Sequence, residues 1–207
     1  MFDVCPHCGL WSVERAVEDA ENDWGIATCP HCGDRLRFRR LPLFLVVGAS
    51  GTGKTTLGFN LVHQLPDHVV MESDILWGTV DADADGSWST YHNHWLRLVK
   101  NIHQAGRSVV LCGIADPETM EALPERRYLG TLHWLVLVAD DEVLADRLRA
   151  RPDWRESSGE EFVTSAVNHN RWYRGLAASD PSIPMLDTSR LDREAIAFAA
   201  TAWVRSR

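Results

Sequence analysis

The chain has 207 residues, 45% of them hydrophobic, enough for one medium domain and a small appendage around a real core. Its formal net charge of −8 argues against general adhesion to nucleic acid or to an anionic membrane, since both attract basic surfaces. No run reaches the roughly 20 apolar residues of a membrane span, and the start MFDVCPHCG has neither the basic flank nor the apolar centre of a signal peptide, so a cytoplasmic location is expected.

In chain order, the first segment covers residues 1–40. Four of the five cysteines fall here in two pairs, Cys5-Pro-His-Cys8-Gly9 and Cys29-Pro-His-Cys32-Gly33. Two near-identical knuckles about twenty residues apart have the spacing of a four-cysteine zinc ribbon. Each glycine follows its second cysteine, where a tight turn brings backbone N–H groups to the thiolate sulfurs. His7 and His31 are then turn residues, because four thiolates already complete a tetrahedron. A redox role is the competing reading, but neither pair opens a thioredoxin-like helix. So short a segment buries little surface, so zinc held by Cys5, Cys8, Cys29 and Cys32 would supply most of its folding energy in a structural role. The stretch Val13 to Trp24 is acidic, unlike a nucleic-acid finger. Further on, Arg35, Arg37 and Arg39 alternate with Leu36 and Phe38, as in a strand with one charged face. That face is either a solvated edge or a small phosphate-binding patch.

Leu41-Pro42 separates the ribbon from a second domain, residues 41–207. Predicted strands there are Leu43 to Val47, His68 to Glu72, Ser108 to Cys112, Thr131 to Ala139 and Ile183 to Leu186. Predicted helices are Lys54 to Leu65, Tyr91 to Ala105, Pro117 to Leu123, Asp141 to Ala150, Glu160 to Leu176 and Asp192 to Arg205. Apolar strands alternating with helices imply an α/β fold, a parallel five-stranded sheet with helices on both faces. Ligands of such sheets bind beyond the C-terminal strand ends. Cys112 lies inside a strand and reads as a buried core thiol.

The stretch LFLVVGASGTGKTT, Leu43 to Thr56, organises this domain. It fits G-x-x-x-x-G-K-S/T with Gly48, Gly53, Lys54 and Thr55 in the fixed places, between a strand and a helix as a phosphate loop requires. Small residues let consecutive backbone N–H groups curl around a phosphate, and the helix N-terminus adds partial positive charge. Gly48, Ser50, Gly51, Thr52, Gly53, Lys54, Thr55 and Thr56 are the candidate nucleotide-binding set. Lys54 can reach the outer phosphates, and the Thr55 hydroxyl can ligate magnesium.

Three further features narrow the chemistry. Asp74 lies just past the second strand, where a carboxylate can accept the proton of an attacking hydroxyl or hold magnesium through water. Glu72 is its rival, and an N-cap for a helix starting at Ile75 is the structural alternative. Arg147, Arg151 and Arg155 recur every four residues, so the helical ones share a face and Pro152 puts the last in a loop. Guanidinium groups converging on one place suit a phosphoryl group in transfer; a solvated arginine face is the bland alternative. Finally, no N-K-x-D guanine reader is present, and the strand Ser108 to Cys112 ends in Cys-Gly-Ile-Ala rather than an acidic residue, which weakens GTPase and motor ATPase readings. In the polar connection Gly78 to Ser89, Asp81, Asp83 and Asp85 precede Gly86 like a calcium loop, but His92 holds the place of the required glutamate. It reads as a mobile loop over the site.

From Leu43 onward the chain resembles the small P-loop kinases, the group of nucleoside and nucleotide kinases, gluconate and shikimate kinases and chloramphenicol phosphotransferases. The matching residues are GASGTGKTT (Gly48 to Thr56), Asp74, the segment LVLVADDEVLADRLRARPDWR with its arginines, and LDTSRL (Leu186 to Leu191). The resemblance implies transfer of the ATP γ-phosphate to a small-molecule hydroxyl or phosphate. Lys54 and the arginines would stabilise charge, Thr55 would hold Mg2+, Asp74 would act as base, and a lid at about 147–159 would close over ATP. It also implies that the loop Asp187 to Arg190, including Asp187 and Ser189, borders the adenine, and that Arg147 belongs to the nucleotide-binding set. The added ribbon departs from the family.

On the acceptor side, Trp77, Trp88, Tyr91, His92 and Trp95 crowd the segment after Asp74, where aromatic faces would suit a planar ring such as the base of a nucleoside. Asn168, Arg171, Trp172 and Tyr173 are candidates from a later helix. A rival reading has the ribbon and its arginines touching RNA, with the second domain phosphorylating an end. A third makes the ribbon a self-association element and the chain a homo-oligomer.

Overall fold

The computed structural model describes residues 2–155 and 157–207, so Met1 and, in the predicted lid, Glu156 lie outside the described residues. Two sheets form. The first is antiparallel, with order β1 (Ala16–Ala20), β2 (Trp24–Thr28), β3 (Arg35–Arg39). Asn22 and Asp23, with φ of 54° and 61°, turn β1 into β2, a left-handed conformation that Asn and Asp tolerate best among residues with a side chain. The second knuckle is itself the β2–β3 connection, since Thr28 pairs with Arg35 across it.

The second sheet holds β4 (Leu43–Val47), β5 (His68–Glu72), β6 (Ser108–Gly113), β7 (Leu132–Val138) and β8 (Met185–Asp187), all parallel, in the order β5-β6-β4-β7-β8. Alternation along the strands splits the core into two layers. Leu43, Leu45 and Val47 face Trp95, Val99, Met120 and Tyr173 on one side, where α2 (Ser89–His103), α3 (Pro117–Ala122) and α5 (Glu160–Ser179) lie. Phe44 and Val46 face Leu57, Leu61, Ala197 and Ala200 on the other, from α1 (Lys54–Gln64) and α6 (Arg193–Arg205). Cys112 sits in this second layer, its thiol pushed up to about 12 by burial. The helix α4 (Asp141–Arg149) packs on α5. The last strand begins later than the sequence predicts. Pro184 has no N–H to donate to a ladder, and Ile183 is held in a turn by its N–H to the Asp180 carbonyl, 3.0 Å. No helix of the described residues is long and apolar enough to cross a membrane.

The ribbon packs on the end of the second sheet where the strands begin. Phe2 and Phe38 meet the ring of Tyr128 edge-on, at 5.2 and 5.9 Å between centroids. The Tyr128 hydroxyl donates to the Val13 carbonyl (2.6 Å) and accepts from the Arg15 N–H (3.0 Å). Lys100, near the C-terminus of α2, is fully buried between the carboxylates of Asp3 and Glu125. Gln104 exchanges two hydrogen bonds with the backbone of Arg39, at 2.9 and 3.0 Å. The parallel topology puts the strand C-termini, and the phosphate loop, at the opposite end.

Candidate active site

Where β4 ends, Gly48–Gly53 turns the chain into α1. Gly51 and Gly53 hold φ of +91° and +96°, which a side chain resists. A Cβ on Gly48 would run into the Leu137 carbonyl of the neighbouring strand. Thr52 Oγ1 donates to the Ala49 carbonyl at 2.9 Å, and Lys54 Nζ donates to the carbonyls of Gly48 and Ala49 at 2.8 and 3.0 Å. Desolvation by the surrounding loop pulls the Lys54 ammonium down to about 8, against the raising influence of Asp74 and Glu72.

The loop floors a cleft of about 970 Å³. Glu72, the last residue of β5, and Asp74, in the 3-10 turn Ser73–Leu76, form part of one wall. The Thr55 hydroxyl donates to Glu72 Oε1. Asp74 does not cap the turn with its side chain, whose one bond among the described residues comes from Ser73 Oγ at 3.4 Å. Its backbone is braced: Tyr91 donates to the Ser73 carbonyl at 2.5 Å, and the Ser73 side chain packs where any Cβ on Gly113 would stand. The glycine found at the end of β6 in place of an acid therefore makes room for the turn that carries Asp74.

Arg147, Arg151 and Arg155 all reach this cleft from the far side. Arg147 ties two loops together, donating to Thr188 Oγ1 (3.0 Å), to the Thr188 carbonyl (2.6 Å) and, more weakly, to the Gly51 carbonyl (3.4 Å). Arg151 donates to Ser157 Oγ at 3.0 Å. Arg149, off this row, pairs with Glu160 on the outer surface.

Some predicted residues lie elsewhere. Trp77 lines the cleft, 64% exposed, with its ring stacked on Trp88 at 4.9 Å and 26°. The His92 ring bonds the Ile114 carbonyl at 2.9 Å beside the wall. Trp95 is a correction: it is 0% exposed in the layer under α2 and cannot meet a ligand. Replacing it by alanine should cost about 3–5 kcal/mol, the usual penalty for an emptied aromatic site. A urea titration reads that as a lower midpoint, while the KM for nucleotide in the folded fraction stays put. Arg171 is a second correction. It points away from the cleft and pairs with Asp141 (2.7 Å) in the groove between α4 and α5. Asp187 and Ser189 shape their loop instead of lining the cleft: Asp187 accepts the Ser189 N–H at 2.8 Å, and Ser189 Oγ accepts the Asp140 N–H. The lining there comes from Thr188, Leu191, Arg193 and Ile196, which the sequence reading did not single out. The motif LDTSRL marked the place but not which side chains face inward. In the calcium-like loop, Asp83 accepts from Ser87 Oγ (3.1 Å) and the Thr90 N–H (2.9 Å), and Asp85 from the Ser87 N–H (2.9 Å), so these carboxylates brace the entry to α2.

In the ribbon, Cys5, Cys8, Cys29 and Cys32 bring their sulfurs within 4.8 Å of one another. Two of the separations are 3.7 Å, close to the ~3.8 Å edge of a tetrahedron with Zn–S bonds of about 2.3 Å. The knuckles are built alike: Gly9 and Gly33 both have φ of +74°, and their N–H groups reach the carbonyls of Cys5 and Cys29 at 2.9 and 3.0 Å. The Cys32 N–H aimed at its sulfur pulls the Cys29 thiol down to about 6, while desolvation and the neighbouring sulfurs push Cys32 up to about 12. The donor set and spacing fit a zinc ion. Arg35 pairs with Glu18 (2.9 Å), and Arg37 and Arg39 flank the Trp24 ring at 4.3 and 4.2 Å.

Residues 43–175 match the family described as an AAA domain. No curated protein sequence matches the chain. Among solved structures it is similar to an unliganded sugar kinase from Janibacter sp. HTCC2649, with TM-score 0.57, 17% identity, and 80% of this chain and 94% of that one covered. It is also similar to a gluconokinase from Sinorhizobium meliloti 1021, with TM-score 0.53, 19% identity, and coverage of 81% and 96%. A thymidylate kinase from Candida albicans gives TM-score 0.54, 13% identity, and coverage of 81% and 92%. With well over half of its residues matched, and the strand, phosphate loop and helix in their places around Gly48 to Thr55, the chain belongs to the AAA-domain family and has the fold of the small P-loop kinases.

Proposed function

We propose that the protein is an ATP- and Mg2+-dependent phosphotransferase that moves the γ-phosphate to a hydroxyl of a small molecule, with a structural zinc ion in its N-terminal ribbon. The observation that carries this reading is the sharing of one cleft by the phosphate loop, an uncapped carboxylate at Asp74 and the arginines 147, 151 and 155. In it, the backbone N–H groups of Gly51 to Thr55 and the Lys54 ammonium bind the triphosphate. The paired Thr55 hydroxyl and Glu72 carboxylate are the groups suited to Mg2+, which would neutralise charge on the phosphates. Asp74 takes the proton of the acceptor hydroxyl as its oxygen bonds to phosphorus and the bond to ADP breaks. Arg151 and Arg155 stabilise the charge spread over the transferring group, and their segment shields it from water. Thr188, Leu191 and Ile196 offer the nucleoside end its mixed polar and apolar wall. The ring face of Trp77 suits a planar acceptor such as a nucleoside.

The ribbon's position supports a structural role. It lies at the end of the sheet away from the cleft, and Arg35 and Arg40 pair with Glu18 and Asp19. A coupled assay of ADP release over a panel of nucleosides, sugars and antibiotics tests the proposal. Acceptor-dependent turnover is expected, and its absence across the panel would remove the phosphotransferase reading.

The depressed Lys54 ammonium makes a separate prediction. Phosphate favours the charged lysine, so binding raises its pKa above the free value of about 8. Affinity for ATP should therefore be flat between about pH 7 and 8, where the terminal phosphate is ionised, and fall by up to about tenfold per pH unit above it. Calorimetry near pH 8.5 in two buffers of different ionisation enthalpy should show proton uptake on binding. Identical heats in the two buffers would count against it.

A further inference from the structure

The cleft has two ends of opposite electrical character. Lys54, Arg147, Arg151 and Arg155 crowd the phosphate end. The facing wall comes from residues 66–96 and 108–125, which contribute Glu72, Asp74, Trp77 and Ile114 to the lining. Neither segment contains a lysine or an arginine, while the first carries Glu72, Asp74, Asp81, Asp83 and Asp85. Cations from neighbouring elements are engaged elsewhere. Arg171 pairs with Asp141, Arg174 donates to the Ala139 carbonyl at 2.7 Å, Arg97 pairs with Glu125, and Arg107 holds carbonyls near the start of β5. His169, on the neighbouring α5, is stacked on Tyr173, and burial lowers its pKa.

A phosphate or carboxylate drawn into such a wall loses water and gains no cationic partner, while facing carboxylates of its own sign. An uncharged ring meets the open face of Trp77, already braced by Trp88. An amine would find carboxylates instead. We propose that the acceptor is a ring-bearing hydroxyl compound that carries no phosphate or carboxylate, either uncharged or amine-bearing, and that stacks on Trp77. This rests on the phosphotransferase reading and deepens it.

The test uses the full zinc-loaded chain with ATP, Mg2+ and acceptors that keep the same ring and hydroxyls and differ in charge: uridine against 5-carboxyuridine, and glucose against glucuronate and glucosamine. The uncharged or amine-bearing member of the active set should exceed its anionic counterpart in kcat/KM by tenfold or more. An anionic acceptor that is equal or better overturns the inference and leaves the phosphotransferase standing. ADP release that no acceptor changes overturns both. Trp77→Ala, at an exposed position, should raise the acceptor KM severalfold with the KM for ATP unchanged; an unchanged acceptor KM removes the stacking platform from the proposal.

Discussion

Replacing Asp74 by asparagine is expected to lower kcat for acceptor phosphorylation by about 10²- to 10⁴-fold, the range for loss of a general base. The KM for ATP should hold, because the phosphates are held by Gly51 to Thr55 and the arginines across the cleft. The substitution keeps the shape of the side chain, and the turn Ser73–Leu76 does not use the carboxylate as a cap. Tyr91 and Gly113 position the turn through Ser73. The unfolding free energy from a urea titration should therefore stay within about 0.5 kcal/mol of the parent, as for a substitution outside the core. Steady-state kinetics at several Mg2+ concentrations separate two roles for the carboxylate. A base leaves the defect unchanged as Mg2+ rises, whereas a carboxylate acting on the metal is rescued. Full activity in the variant would remove Asp74 from the chemistry and leave Glu72 as the nearest carboxylate.

Removing zinc, by chelation or by Cys29→Ser, should unfold the ribbon while the five-stranded domain persists. Within the ribbon the buried apolar cluster is Phe2, Ala27 and Phe38, closed by Tyr128 from the other domain. That is too little to offset the chain entropy of residues 1–40, whereas thiolate coordination of zinc contributes about 10–16 kcal/mol in finger peptides. Loss of the ribbon bares Tyr128, whose burial is worth about 1.5–3 kcal/mol, and opens the Lys100 network to water. At about 2–4 °C per kcal/mol for a domain of this size, the remaining domain should melt on the order of 5–10 °C lower. Metal analysis should find one zinc per chain before treatment, and limited proteolysis should then cut near Leu41. A purified chain with no zinc that resists protease in residues 1–40 would refute the structural-metal reading. A defect in turnover is expected to be smaller than that of Asp74→Asn, because the ribbon touches the far end of α2 from Tyr91.

Much of the architecture was legible in the residues because it is encoded locally. Five apolar runs bounded by glycine, proline or polar turns became the five parallel strands, four of them within a residue of the expected ends. The phosphate loop follows from glycines that alone tolerate φ near +90°, and the paired knuckles follow from cysteine spacing. The four-residue repeat placed Arg147 and Arg151 on one side of α4 and its extension.

What the tertiary structure decided is everything that depends on which elements become neighbours. The order β5-β6-β4-β7-β8 sets Glu72 against Thr55 and opens Gly113 to Ser73, across residues with no pattern in common. Trp77 and Trp95 both follow Asp74 in an aromatic-rich stretch, but only packing sends Trp95 into the core and Trp77 into the cleft. The same holds for Arg171, drawn outward by Asp141, and for the ribbon, which sits at the end of the sheet away from the phosphate loop. Local periodicity fixes the elements because it concerns a residue and its near neighbours. The second wall of the cleft is assembled from separate segments, so its composition becomes visible only once the sheet brings them together.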